Sequence, residues 1–251
     1  MVDAALIRDG APGDAAFEVA LAAAILDAVA RRQLGPILRA HRPPPTVAFG
    51  RQDAFRPGFA AAAAAASGHA FTPVLRAPGG HAAAYDGGSL VIDEVMPEPD
   101  SIEGIHRRFA EHAEQHARAL RSLGVDARIG RVAGEYCPGD FTINAGGRTK
   151  LIGTAQRVVR GAWLISTVVV VEGTARIRAV LSDVYRALEL DWDPRTVGSV
   201  SDEVPGITVG EVEQALLGSY GDRLRLAPGE LGPDVTALAL AMSGRFRVGG
   251  S

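Results

Sequence analysis

The chain has 251 residues, enough for one large domain or two small ones, and 47% apolar content with a formal net charge of -3 describes an ordinary globular protein. That charge balance gives no basic excess for nucleic acid, no run of eighteen apolar residues spans a membrane, and one cysteine excludes an internal disulfide framework. Asp3, Arg8 and Asp9 fall where a signal peptide would be apolar, so the cytoplasm is the expected compartment.

Residues 14–33 read as an amphipathic helix, with Asp14 as cap and Phe17, Leu21, Ile25 and Val29 repeating at i+4. Pro43-Pro44-Pro45 stops any helix and leads into a short strand, Thr46-Val47-Ala48-Phe49, followed by the loop Gly50-Arg51-Gln52-Asp53. The alanine run 60–66 reads as helix. Val74-Leu75 is a short strand, and 82–84 a strand of very small residues. Leu90-Val91-Ile92-Asp93-Glu94-Val95 is a further strand. Residues 101–122 form the clearest helix, with Asp100 and Glu103 as a capping box, Ile102, Ile105, Phe109, Ala113 and Leu120 as its apolar face, and Gly124 as its end. Asn144-Ala145-Gly146-Gly147 reads as a hairpin turn between 141–143 and 151–152. The unbroken valines of 163–171 suit a strand buried on both faces. Helices follow at about 174–188 and 208–220, then a strand at 224–226 and a helix at 230–243. No Pro-, Gly- or Ser-rich linker divides the chain. The reading is one α+β domain over 1–251, with a core at about 15–190 and a C-terminal helical extension at about 191–251.

Three features carry chemistry. Of the 26 basic residues only Lys150 is lysine, and it stands thirteen positions after the only cysteine, Cys137. A lysine kept among arginines suits a task that needs a compact, rotatable charge. Cys137 precedes Pro138-Gly139, which forces a loop, where a cysteine can serve as nucleophile; the alternative is a small buried hydrophobe. A thiolate needs a positive neighbour or a base. Lys150, brought back by the hairpin, could lower the thiol pKa and hold an oxyanion, or be no more than a solubilising lysine. His81 could act as base. The third feature is the stretch from Arg76 to Leu90, where glycines permit close backbone approach and alanines leave room for an acyl tunnel. His112 and His116 stand at i, i+4, but no third metal ligand presents itself, so no metal site is assigned.

Together these segments resemble the lipoate–protein ligase and octanoyltransferase family, related to biotin protein ligases. The family's first motif, Arg-x-x-Gly-Gly-Gly-Ala-Val-Tyr-His-Asp-x-Gly-Asn-Leu, is matched by Arg76, Gly79, Gly80, Ala82, Asp86, Gly88 and Leu90. His81, Ala83, Ala84, Tyr85 and Ser89 depart from it. The second motif, Gly-x-Lys-x-x-Gly-x-Ala-Gln, is matched by Lys150, Gly153, Ala155 and Gln156, and Gly50-Arg51-Gln52 is similar to an earlier family turn. The resemblance implies a mixed, largely antiparallel sheet flanked by helices, as in the catalytic domain of biotin and lipoyl ligases. It also implies a monomer.

By the same resemblance, Cys137 and Lys150 would be catalytic. Arg76, Gly79, Gly80, His81, Ala82, Tyr85, Asp86, Gly153, Thr154, Ala155 and Gln156 would bind substrate. A cysteine in the loop before the lysine motif is similar to the branch that moves octanoyl from acyl carrier protein, through a thioester, to a lysine of a lipoyl domain or glycine-cleavage H protein. That branch needs no cofactor. An ATP- and Mg-dependent lipoate ligase acting through lipoyl-adenylate is the alternative, and a non-catalytic acyl-binding paralogue a third.

Overall fold

The computed structural model describes residues 1–8, 14–98 and 103–249. In chain order the elements are β1 (Val2–Ile7), α1 (Ala15–Ala30), β2 (Ile37–His41), β3 (Thr46–Phe49), α2 (Phe59–Gly68), β4 (Thr72–Leu75), β5 (Ala83–Tyr85), β6 (Ser89–Glu98), α3 (Ile105–Ser122) and β7 (Ala127–Ile129). There follow β8 (Ile143–Ala145), β9 (Thr149–Val159), β10 (Gly161–Val170), α4 (Thr174–Ala187), α5 (Val200–Glu203), α6 (Val209–Gly218), β11 (Leu224–Pro228) and α7 (Pro233–Ser243).

The strands form an eight-stranded sheet, ordered β11-β1-β2-β6-β10-β9-β8-β7, and a three-stranded one, β4-β3-β5. In the larger sheet β1 runs parallel to β11 and β2, and the other pairings are antiparallel. This is the mixed, largely antiparallel α+β architecture expected.

Three apolar clusters hold the layers. On one face of the large sheet Leu38, Leu90 and Ile92 pack with Leu120 of α3 and Leu216 of α6. On the other, Ile37, Val95 and Leu164 pack with Leu21, Ile25 and Val29 of α1 and with Val235 and Ala239 of α7. The small sheet packs Val47, Phe49 and Ala84 against Ala62 and Ala66 of α2 and Val180 and Val184 of α4. Each valine, leucine, isoleucine or phenylalanine so buried stabilises the fold by roughly 1.5–3 kcal/mol, and each alanine by less, before the entropy of ordering it.

The local signals act as expected at several points. Asp14 Oδ1 accepts the Phe17 N–H at 3.0 Å and starts α1. The valines of β10 face both ways, Val169 into the α3 cluster and Val170 into the α4 cluster. The expected cap Asp100, with Ile102, lies outside the described residues; among those described, the helix begins at Ile105 behind Gly104, whose φ of 78° suits glycine. The strands β1, β2 and β7 are departures from the sequence reading. The strand expected at 224–226 is β11, and it forms an edge of the large sheet beside β1.

Candidate active site

The loop bearing Cys137 connects β7 to β8. Cys137 has φ 42°, the left-handed region that L-residues avoid and that costs of order 1–3 kcal/mol. Both sides of its backbone are held. Its N–H donates to the Tyr185 hydroxyl at 2.8 Å, and that hydroxyl donates to the Ala82 carbonyl at 2.9 Å. Burial raises the Tyr185 pKa well above its usual range, so the phenol keeps its proton. The Cys137 carbonyl accepts from Lys150 Nζ at 2.7 Å.

Lys150 is 3% exposed. Its ammonium also donates to the Tyr136 carbonyl at 3.2 Å and meets Glu135 Oε2 at 3.1 Å. Three acceptors take the three N–H bonds of an ammonium. Glu135 in turn accepts from the Thr142 hydroxyl at 2.9 Å and from Gly139 N–H at 3.4 Å. The only lysine is therefore not an exposed hairpin residue: it holds the cysteine's carbonyl.

The cation against the sulfur is Arg76. Its Nη2 donates to Cys137 Sγ at 3.3 Å and to the His81 carbonyl at 2.9 Å. Gly80, at φ 99°, leaves space for this: a Cβ there would lie 2.6 Å from Arg76 Nη2 and 2.8 Å from Sγ. His81 donates from Nδ1 to the fully buried Asp53 at 2.7 Å. The other Asp53 oxygen accepts Gly50 N–H at 2.9 Å. A Cβ on Gly50 would fall 1.7 Å from the Gly80 carbonyl oxygen, so the turn at 50–53 and the loop at 79–81 are in direct contact.

Half-buried Cys137 opens onto a cavity of about 1050 Å³, at the upper end of what small-molecule sites need. Its floor is one face of the large sheet, read across four strands. Gly153, Val168, Val91 and His41 form one cross-strand row, and Ala155, Ser166, Asp93 and Arg39 the next. α1 roofs it with Glu18, Val19 and Ala22. Arg76, Gly79, Gly80, Tyr85, Gly153, Thr154, Ala155 and Gln156 all line it, as do Cys137 and Lys150. Gln156 does so with neither amide atom hydrogen-bonded.

Three expected binding residues are not in its wall. Ala82 is buried in the α4 cluster and serves the site through its carbonyl. Asp86 accepts from Gly88 N–H at 2.9 Å and from Arg176 at 3.0 Å, which fixes the turn before β6. His81 faces Asp53, and its backbone faces Arg76.

Four contributors escaped the sequence reading: Tyr185, Glu135, Asp53 and the Glu18–Arg39–Asp93–His41 group. Asp53, three residues after Gly50 in a tight turn, had a local signal; Tyr185 lies 48 residues from Cys137 and had none. His112 and His116 are core residues. His112 bonds Glu94 and the Arg108 carbonyl, and His116 meets the Tyr220 hydroxyl at 2.9 Å. Among the described residues no three His, Cys, Asp or Glu side chains converge as a metal site, and no helix is long and apolar enough to cross a membrane.

Known proteins resemble this chain in sequence and in fold. The model of the lipoyl protein ligase A/B catalytic domain matches residues 14–221. The octanoyl-[GcvH]:protein N-octanoyltransferase of Exiguobacterium sibiricum is 32% identical over 174 residues, 68% of this chain and 61% of that protein. That of Geobacillus kaustophilus is 30% identical over 168 residues, 67% of this chain and 59% of that protein. The chain thus spans about three fifths of these relatives' length. Their names place octanoyl on GcvH, not on acyl carrier protein. Among solved structures, lipoate-protein ligase A bound with ATP superposes with a TM-score of 0.74 at 22% identity, covering 96% of this chain and 94% of that one. A bipartite lipoate protein ligase from Thermoplasma acidophilum gives 0.72 at 20% identity, covering 97% and 92%.

Proposed function

Because the chain belongs to the lipoyl protein ligase A/B catalytic-domain family, we propose that it transfers octanoyl from GcvH to a lysine of a second lipoyl-carrying protein through a thioester on Cys137. The observation that carries this reading is the placement of the only cysteine: half-buried, in the wall of a large cavity, with a guanidinium on its sulfur. The donor is GcvH and not the acyl carrier protein expected above, because the relatives from Exiguobacterium sibiricum and Geobacillus kaustophilus carry GcvH in their names.

The chemistry follows from the contacts. Sulfur attacks the octanoyl carbonyl carbon, and the bond to the donor breaks as the departing group takes the thiol proton. The acceptor's lysine amine then attacks the thioester, an amide forms, and its proton returns to the sulfur. Arg76 stabilises negative charge on sulfur in both steps. Lys150 and Tyr185 are positioning residues: they fix the carbonyl and N–H of Cys137, and with them the direction of Sγ. Lys150 would stabilise an oxyanion only by releasing one of its three acceptors. The small residues Gly153 and Ala155 leave the cavity floor open to the acyl chain.

The test is a transfer assay without nucleotide. Octanoyl-GcvH, the protein and a lipoyl domain are mixed, and the mass of the lipoyl domain is followed. A gain of one octanoyl group that is lost with Cys137→Ala is expected. Transfer by Cys137→Ala at the parental rate would remove the nucleophile, and a strict need for ATP would favour the ligase chemistry.

A further inference from the structure

The strand β9 outruns its outer neighbour. β10 pairs with it from Ile152 to Val159, but β8 pairs with it only from Thr149 to Ile152. Beyond Ile152, β9 is therefore an edge of the large sheet. Two residues, Arg160 and Gly161, join β9 to β10 and close on the pair Val159 and Ala162. A two-residue loop makes that pair a hydrogen-bonded one, and the pattern alternates from there. Val159, Arg157, Ala155 and Gly153 thus turn their N–H and C=O groups toward β10. Val158, Gln156 and Thr154 turn theirs outward, and among the described residues no backbone group pairs with them there.

This free edge borders the cysteine loop. Lys150 Nζ lies 2.7 Å from the Cys137 carbonyl oxygen and 3.8 Å from the position a Cβ on Gly153 would take. The cavity also continues around the edge. Gly153 and Ala155 line it from one face of β9, and Thr154 and Gln156 from the other. Phe109 and Phe141, stacked with ring centroids 5.6 Å apart, line it too. The buried amide atoms of Gln156 make no hydrogen bond, and an amide offers both a donor and an acceptor to a passing peptide group. Toward the hairpin tip stand Arg157 and Arg160. Both are exposed, both line the cavity, and neither has an ion-pair partner among the described residues.

We propose that an extended segment of GcvH joins the large sheet as an added strand along the β9 edge, with acidic side chains of that carrier on Arg157 and Arg160. The proposal rests on the acyl-transfer reading of Cys137. The edge from Thr154 to Val158 is about 14 Å long, the length of a short strand. Strand addition draws its affinity from main-chain hydrogen bonds, which any extended segment can make. That suits a site that takes octanoyl from one protein and passes it to a second. A further copy of this chain fits the edge less well. Two β9 strands paired antiparallel about Gln156 would set their Arg157 side chains as diagonal neighbours at about 7–8 Å, where like charges repel.

The experiment is residue-level amide hydrogen exchange on the full chain, with and without an excess of unacylated GcvH. The outward amides of Thr154, Gln156 and Val158 are expected to slow about tenfold or more when the carrier is added. Unchanged exchange at these amides overturns the proposal, and so does protection already present without GcvH in a chain that sediments as a dimer. Kinetics supply a second reading. Val158→Pro removes one outward N–H while the bonds to β10 remain, and it should raise the KM for octanoyl-GcvH about tenfold. Arg160→Glu should raise it several-fold. Acylation of Cys137 by octanoyl-N-acetylcysteamine, which has no strand to add, should keep its parental rate in both. An unchanged KM in both variants also overturns the docking. Failure of the parent to take octanoyl from either donor sinks the acyl-transfer reading instead, and the amide exchange still decides where GcvH binds.

Discussion

Cys137 sits in a left-handed backbone held from two sides, and its sulfur touches a cation sixty-one residues away in sequence. Two expectations belong to this scale. Arg76→Leu removes the charge from the sulfur, so alkylation of Cys137 by a neutral reagent at neutral pH should slow roughly tenfold; an unchanged rate would make Arg76 a structural residue only. Lys150→Met leaves Glu135, whose side chain is fully buried, without its cation, and should cost about 3–5 kcal/mol in chemical denaturation. Lys150→Arg should rescue poorly, because a planar guanidinium does not converge on three acceptors as an ammonium does. A variant as stable as the parent would contradict the role given to Lys150. The sequence made Cys137 and Lys150 visible because each is the only one of its kind. It hid their relation: the hairpin does bring the lysine back, but to the cysteine's carbonyl, and the sulfur's neighbour comes from the loop after β4.

At the scale of elements, the site depends on how two turns and a sheet meet. Gly50→Ala would drive a methyl into the Gly80 carbonyl, so the 79–81 loop beside Cys137 must shift. Loss of transfer activity with little loss of helix content by circular dichroism is expected; full activity would show that the contact is dispensable. Elements with local signals were legible in the sequence: the Asp14-capped helix, the strand after three prolines, the valine strand and the hairpin. β2 was missed for a physical reason. All five of its residues are buried, yet Arg39 and His41 read as solvent-facing in any local pattern. Their partners, Asp93 and Glu18, come from β6 and α1. A strand whose buried polar residues are paired only by tertiary contacts defeats hydrophobic periodicity.

At the scale of the molecule, α3 is fastened to the C-terminal part by polar contacts inside the core. His116 meets Tyr220, and Glu94 binds both His112 and Arg223. Burial lowers the His116 pKa from 6.5 to about 3. The unfolded chain therefore takes up a proton below pH 6.5 that the folded protein refuses, and stability falls as pH drops from 6.5 toward 3. The loss at pH 5 is about 2 kcal/mol. Burial alone would raise the Glu94 pKa, but His112 and Arg223 outweigh it and bring it from 4.5 to about 2. Its contribution is present above pH 4.5 and is lost as pH falls through 2. Denaturation of His116→Gln should show a flatter loss between pH 6.5 and 5 than the parent; an equal slope would locate the acid sensitivity elsewhere. The role of the C-terminal part was the least legible in the sequence, because the pairing of β11 with β1 joins strands more than two hundred residues apart.

The central claim is that Cys137 carries the acyl group. Intact-protein mass spectrometry after mixing with octanoyl-GcvH, with no nucleotide and no acceptor, tests it most directly. We expect a mass gain of one octanoyl group that hydroxylamine removes and that Cys137→Ser does not show. An adduct that survives in Cys137→Ser, or no adduct on a protein that still transfers octanoyl to a lipoyl domain, would contradict it.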